Sequence, residues 1–293
     1  MLSKLFGDLM HRRKPGRLFI VSTPIGNLED FSLRGAEVLK TVQLVACEDT
    51  RRSRVLFERF GVRTPMASLP AFSEGERAKV LIRRLIAGDD LALVTDAGSP
   101  GIADPGSALV QEAIAAHIEV VPIPGPAALI AALSASGLPS GRFHFLGFLP
   151  RKHADARAMC DEVIGLSATL IFYESPRRLG GRLAFLYKMF GDRQACVARE
   201  LTKLHEEFDR GTLEGLTVRY RDAQVKGEVV ILVAGFDRNS KWKESEVLAA
   251  LQAGLQHGER LKTLSSDLGQ RSGWPSQELY RLGVRLRRST HTP

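Results

Sequence analysis

The stretch LALVTDAGSPGIADPG, from Leu91 to Gly106, joins a short apolar run to a loop rich in glycine and proline. Residues 91–96 have the length and composition of a buried strand. In the loop that follows, glycine permits backbone conformations and close approaches that other residues cannot make, and proline keeps the loop rigid. A strand that ends in such a loop predicts a place where backbone groups hold a ligand.

The same pattern follows two other predicted strands. STPIGNLED covers residues 22–30, and PGPAAL covers residues 124–129. A single loop of this kind is most often only a turn, but three at strand ends of one domain favour a shared pocket.

Short apolar runs alternate with segments that have apolar residues at helical spacing. This alternation predicts an α/β fold with a largely parallel sheet in the first half and a sheet that could be mixed in the second. Ser73 and Glu76 have the spacing of a capping box, which predicts a helix start. The predicted strands are residues 18–23, 44–49, 91–96, 119–123, 143–148, 168–175, 194–200 and 228–235.

Three strand ends carry a residue able to cap a helix, followed by proline. The pairs are Asp104–Pro105, Gly125–Pro126 and Ser175–Pro176. Proline fits the first position of a helix, so each pair predicts a helix N-terminus at the edge where open α/β sheets bind ligands.

Changes in composition divide the chain into four predicted parts. Residues 1–16 form a basic tail, 17–130 an N-terminal α/β domain, 131–238 a C-terminal α/β domain, and 239–293 a helical extension. Helices are predicted at 244–255, 260–268 and 276–288. The last two and their turn GQRSGWP resemble a helix-turn-helix, although the turn is longer than usual. A small helical bundle with a solvated arginine face is the open alternative.

The composition favours a polyanionic partner. Forty-one Lys and Arg against 33 Asp and Glu give a net charge of +8, which suits nucleic acid. The three cysteines, Cys47, Cys160 and Cys196, form no CxxC pair, which favours a reducing cytoplasmic location and predicts no metal site. No apolar run reaches the length of about 18 residues that a membrane helix needs. The motifs of P-loop NTPases, dinucleotide-binding proteins, zincins and serine hydrolases do not occur.

Seven blocks of sequence together resemble one family. They resemble bacterial small-subunit ribosomal RNA ribose-2′-O-methyltransferases of the tetrapyrrole-methylase superfamily over residues 18–235, and more loosely over the C-terminal helices. The resemblance implies two α/β domains with S-adenosylmethionine in the cleft between them, in a homodimer. It also implies methylation of the 2′-hydroxyl of a decoding-centre cytidine in 16S ribosomal RNA. The blocks are TPIGNLED, EDTRRSRVLFERFGV, LVTDAGSPGIADPG, PGPAALIAALSASGLP, GFLPRK, FYESPRRL and RELTKLHEE.

The resemblance places the cofactor on the three loops and on one strand of the second domain. Proton removal from the ribose hydroxyl needs a base, and the candidates are Asp49 with its neighbour Glu48, Glu174, and Lys203 with Glu200. A structural ion pair with Arg51, Arg177 or Arg199 is the alternative for each. The implied cofactor residues are Thr23, Pro24, Gly26, Asp96, Ala97, Gly98, Ile102, Pro126, Ala127, Phe172 and Tyr173.

Clusters of cations near strand ends predict the contact with RNA. Cations near a helix N-terminus disfavour the helix, so their presence there indicates a phosphate partner. A solvated face is the alternative for each cluster. The predicted RNA-binding residues are Arg51, Arg52, Arg54, Arg151, Lys152, Arg177 and Arg178.

Two other functions remain open from the sequence. A tetrapyrrole methylase of the same superfamily is one, but the charge of +8 is unsuited to an apolar macrocycle. A non-enzymatic nucleic-acid-binding protein built on the C-terminal helices is the other, and it leaves the three loops unexplained.

Overall fold

The computed structural model describes residues 14–70, 74–237 and 242–289. Most of the predicted basic tail and Ser73 of the predicted capping box lie outside the described residues. The described chain forms two compact units, one within Met1–Ala131 plus Leu201–Leu204 and the other within Ala132–Glu200 plus His205–Pro293.

The first unit is built on a parallel sheet of five strands in the order β3-β2-β4-β1-β5. Its central strands β2 and β4 are buried along their whole length, as expected for a parallel sheet covered by helices on both faces. Two apolar clusters form the core of this unit. The strands are β1 (Leu18–Val21), β2 (Leu44–Cys47), β3 (Met66–Ser68), β4 (Leu91–Val94) and β5 (Val120–Ile123).

Helices follow the strands of this unit in alternation. A 3-10 turn at Leu28–Asp30 precedes the first of them. The helices are α1 (Leu33–Thr41), α2 (Thr50–Phe60), α3 (Glu74–Ile86), α4 (Ser107–Ala115) and α5 (Ala128–Ser136), the last of which contains the boundary between the two units.

The second unit is built on a mixed sheet in the order β6-β7-β10-β8-β9. Strands β6 and β7 are parallel, and the other neighbours are antiparallel. The core packs around Phe172 and Phe190, both fully buried. The strands are β6 (Phe143–Phe148), β7 (Thr169–Glu174), β8 (Gln194–Arg199), β9 (Glu207–Thr212) and β10 (Val229–Val233), and the helices are α6 (His153–Val163), α7 (Leu179–Phe190) and α8 (Leu213–Tyr220).

The last three helices pack on one another around a small apolar core. They are α9 (Glu244–Gln256), α10 (Leu261–Ser272) and α11 (Ser276–Ser289). The predicted long turn GQRSGWP is wrong, because α10 continues to Ser272 and ends at Gly273, which is left-handed with φ 68°. The remaining turn of three residues has the length found in helix-turn-helix units. No helix in the described part of the chain is long and apolar enough to span a bilayer.

All eight predicted strands are confirmed, but β3 and β9 were not predicted. Of the proline pairs, only Ser175–Pro176 begins a helical turn as predicted. Helix α4 instead begins at Ser107, and Pro105 lies in the preceding loop, where its carbonyl accepts a hydrogen bond from the Gly101 amide. Helix α5 begins at Ala128, two residues after the predicted proline.

Candidate functional site

The loops after β1 and β4 are joined at the carboxyl edge of the first sheet. Thr23 and Gly98 exchange two backbone hydrogen bonds, of 2.8 and 3.0 Å. The Thr23 hydroxyl also donates to the Thr95 carbonyl at 3.1 Å. These bonds fix the two loops to each other as a short bridge because β1 and β4 are neighbours in the sheet.

A chain of hydroxyl groups extends this junction to the third loop. Ser22 and Ser99 lie 2.9 Å apart through their hydroxyl oxygens, and the Ser99 hydroxyl donates to the Pro126 carbonyl at 3.2 Å. All three loops predicted from glycine and proline content therefore meet at one edge. Thr23, Gly98 and Pro126 lie at the junction.

Glycine is required at two positions of this junction. Gly98 has a φ of 84°, and a Cβ there would lie 3.5 Å from Ile25 Cγ2. At Gly125, a Cβ would approach Ser22 Cβ to 2.9 Å. The loops are close enough that a side chain at either position occupies the space between them.

The other predicted cofactor residues of the first unit surround this junction. Pro24 is buried, Gly26 is exposed, and Asp96, Ala97 and Ala127 are half-buried. Ile102 exposes 43% of its surface, although it is a large apolar residue.

The two predicted cofactor residues of the second unit lie on β7. The side chain of Phe172 is fully buried in the core of that unit, which leaves only its backbone for contact with a ligand. Tyr173 packs edge-on against Phe145 and Phe148, with ring centroids 4.8 and 5.6 Å apart. Their contact with the cofactor stays a prediction.

Three carboxylates follow the central strands β2 and β4. Asp49 caps α2 and forms an ion pair with Arg51 at 2.7 Å; hydrogen bonds from Arg51 lower its pKa to about 2. Burial raises the pKa of Asp96, although it accepts a hydrogen bond from the Asp49 backbone and pairs with Arg52 at 3.3 Å. Burial and the nearby Asp96 raise the pKa of Glu48. Asp49, the predicted base, is thus the weakest base of the three.

Glu174, a second predicted base, forms a buried ion pair. Its carboxylate is fully buried and lies 2.6 Å from Arg178 and 3.2 Å from Arg182. It also accepts a hydrogen bond from the Ser175 backbone at 2.6 Å. A carboxylate with two guanidinium partners stabilises the turn after β7, because a buried charge needs paired neighbours.

The predicted RNA-binding cations differ in what they contact. The side chains of Arg51 and Arg52 are 87% and 70% exposed, although each forms an ion pair with an aspartate. Arg178 is only 33% exposed and pairs with Glu174. The remaining cations, Arg54, Arg151, Lys152 and Arg177, are exposed.

The partner of the α4 N-terminus is a residue that the sequence pattern did not predict. One oxygen of Glu74 accepts hydrogen bonds from the backbone of Gly106, Ala108 and Leu109, at 3.0, 2.8 and 3.3 Å. This carboxylate occupies a position where the proline pattern suggested a ligand. The related signal in the sequence was the capping-box spacing near a predicted helix start, which pointed to Glu76 and not to Glu74.

Residues 17–217 match the family of Tetrapyrrole (Corrin/Porphyrin) Methylases. The chain belongs to this family. Solved structures support the fold: the chain is similar to a diphthine synthase (TM-score 0.60, 18% identity, 91% of this chain and 100% of the other). It is also similar to uroporphyrin-III C-methyltransferase from Thermus thermophilus complexed with S-adenyl homocysteine (TM-score 0.55, 19% identity, 74% and 97%).

Within the tetrapyrrole methylases, the chain is similar to ribosomal RNA small subunit methyltransferases I from several bacteria. It is 43% identical over 272 residues to the ribosomal RNA small subunit methyltransferase I of Mesorhizobium japonicum, covering 92% of both chains. It is 50% identical over 224 residues to that of Xylella fastidiosa (75% and 82%). For Halalkalibacterium halodurans the identity is 40% over 280 residues (92% and 96%). These matches confirm the predicted family and fold class, and the prediction that the chain is a methyltransferase.

Proposed function

We propose that this protein transfers a methyl group from S-adenosylmethionine to a ribose 2′-hydroxyl of small-subunit ribosomal RNA. The observation that carries the proposal is the junction of three loops at the carboxyl edge of the first sheet, in a chain whose relatives are named ribosomal RNA methyltransferases. Open α/β sheets bind ligands at this edge.

The residues of the junction fit the chemistry of the cofactor. Gly98 and Gly125 let the loops pack closely at the junction, and backbone amide and carbonyl groups of these loops can bind the adenosine and the amino-acid end. Asp96 and Glu48 supply negative charge near the loops, which suits the positive sulfonium. When bound, the cofactor supplies an electrophilic methyl group. Thr23, Gly98 and Pro126 are the residues that we assign to holding it.

The protein's own part in the reaction is to position the ribose and accept a proton. Methyl transfer is an in-line displacement, so fixed loops and exclusion of water contribute most of the rate. A base works best when its pKa is near the working pH. Glu48, whose pKa is raised by burial, is therefore a better proton acceptor than Asp49, whose pKa is about 2. Glu174 is assigned to the structure of the β7 turn instead.

The RNA partner and the assembly complete the proposal. The exposed cations Arg54, Arg151, Lys152 and Arg177 and the net charge of +8 support binding to phosphates. A decoding-centre cytidine as the target, a homodimer as the active form and a cytoplasmic location follow from the family resemblance.

The test is methyl transfer to small ribosomal subunits from a strain that lacks this protein. The purified protein and labelled S-adenosylmethionine should add one 2′-O-methyl group to each 16S RNA, and mapping of ribose methylation locates it. The Gly98→Leu variant is the matched negative control. No label in RNA, together with label in a tetrapyrrole substrate, would replace this proposal with the small-molecule one.

A further inference from the structure

Four residues from the connection between β8 and β9 belong to the first unit. This 201–204 segment, Leu201–Leu204, comes from the block RELTKLHEE. Leu201 is buried, whereas Leu204 is 93% exposed. The segment therefore reaches the first unit from a distant part of the sequence.

The 201–204 segment contacts the loop after β1 at Gly26 and Asn27. The Asn27 amide donates a hydrogen bond to the Thr202 hydroxyl at 3.0 Å. A Cβ on Gly26 would lie 2.6 Å from Lys203 Cγ, 2.7 Å from Thr202 Oγ1 and 2.8 Å from the Leu201 carbonyl oxygen. No side chain fits at Gly26 because the segment packs directly on its backbone.

The backbone that carries Thr202 is strained. Glu200 and Thr202 have φ values of 50° and 63°, a region that residues other than glycine rarely adopt, least of all a β-branched residue such as threonine. Glu200 is held there by two bonds to Glu228: its amide donates to the Glu228 carbonyl, and its carboxylate accepts the Glu228 amide, both at 3.1 Å. Such strain is retained when the surrounding structure holds it, most often at functional sites.

The contact places Thr202 at one end of a loop whose other end is already fixed. Thr23 is held by its bridge to Gly98, and Asn27 is held by Thr202. Pro24 and Gly26, which lie between them, are predicted to contact the cofactor. A loop fixed at both ends loses less conformational entropy when it binds a ligand.

We infer that Thr202 is a positioning residue for S-adenosylmethionine, acting through its hydroxyl on the Gly26–Asn27 backbone. The inference rests on the proposed function, since it assumes that this loop holds the cofactor. It also gives Glu200 and Lys203 a different role from the one predicted from the sequence. They shape and pack the 201–204 segment and do not act as the general base that removes the ribose proton.

The test removes the hydroxyl and keeps the side-chain shape. Thr202→Val loses the bond to Asn27, and Thr202→Ser keeps it. Thr64→Val is the matched control, because the Thr64 hydroxyl donates to the Leu39 carbonyl at 2.6 Å in the same unit, before β3. Four quantities are measured for each variant: the Kd for S-adenosylmethionine by calorimetry, KM, kcat, and amide hydrogen exchange of residues 23–30.

For Thr202→Val we expect the Kd and KM for the cofactor to rise about fivefold or more, as for one lost hydrogen bond. The kcat at saturating cofactor should stay within about twofold, and exchange at residues 23–30 should accelerate. Thr202→Ser and Thr64→Val should bind the cofactor like the wild type.

Unchanged cofactor affinity in Thr202→Val, with faster exchange, would show that Thr202 is only structural and would overturn the inference. If the wild type itself does not bind the cofactor, the proposed function fails, and the inference fails with it. The two failures are distinguishable because the first leaves wild-type binding intact.

Discussion

The carboxylate of Glu74 is expected to stabilise the first unit by capping a helix other than its own. It accepts hydrogen bonds from Gly106, Ala108 and Leu109 at 3.0, 2.8 and 3.3 Å. The three donors are backbone amides at the start of α4, which the helix itself cannot satisfy. Glu74→Ala leaves all three without this acceptor.

The size of the loss follows from the geometry. A hydrogen bond to a charged acceptor contributes about 1.5–3 kcal/mol, and a negative charge at a helix N-terminus adds about 0.3–1 kcal/mol. One of the three bonds is long, and Glu74 is half-buried, so water replaces part of the interaction. We expect Glu74→Ala to lower the free energy of unfolding by about 2 kcal/mol.

The assay is urea unfolding followed by circular dichroism, with Glu76→Ala as the matched control. Glu76 lies in the same turn of α3, but its side chain is 85% exposed and pairs only with Lys79 at 3.2 Å. Such a surface pair contributes about 0–1 kcal/mol. Glu74→Gln, which keeps an acceptor without the charge, should be intermediate. Equal stabilities of the two alanine variants would refute the capping role.

Four further predictions follow, three on binding and one on stability. Gly98→Leu should weaken S-adenosylmethionine binding at least tenfold in calorimetry, and Gly61→Leu should not, because a Cβ at Gly61 meets nothing within 4 Å. Acidification should weaken binding of S-adenosylmethionine more than of S-adenosylhomocysteine, as Asp96 takes up a proton and loses its charge. Because burial raises the pKa of Asp96, the change begins at a higher pH than for an ordinary aspartate, and Asp96→Asn should reduce it, leaving the part that Glu48 contributes. Arg177→Ala should weaken RNA binding in a filter-binding assay. The slope of log K against log salt concentration should also fall by about one, as for one lost phosphate contact. Arg178→Ala should instead lower the free energy of unfolding, measured by urea unfolding, by about 3 kcal/mol, because it leaves the buried Glu174 carboxylate with fewer partners.

A strand can be predicted from the sequence when it is fully buried, because burial requires apolar residues along its whole length. Strands β2 and β4 are buried along their whole length, so each reads as a continuous apolar run. Strand β9, with the sequence EFDRGT, is at the edge of its sheet and carries charges, so it gives no such signal. The position of the three Gly/Pro loops at one edge could be predicted because parallel strands end at the same edge.

The roles of individual side chains could not be predicted in the same way, because they depend on partners distant in sequence. Glu48 and Asp49 are adjacent, yet their pKa values shift in opposite directions. Hydrogen bonds from Arg51 lower the pKa of Asp49, whereas burial and the nearby Asp96 raise the pKa of Glu48. The same holds for Glu74, Glu174 and Thr202, whose partners lie in other elements or in a distant segment. A pattern of residues locates a loop because topology fixes where strands end. Whether a carboxylate acts as a base or as a structural ion is decided by which cation the fold brings beside it, so each base assignment needs the ion pairs of the folded chain.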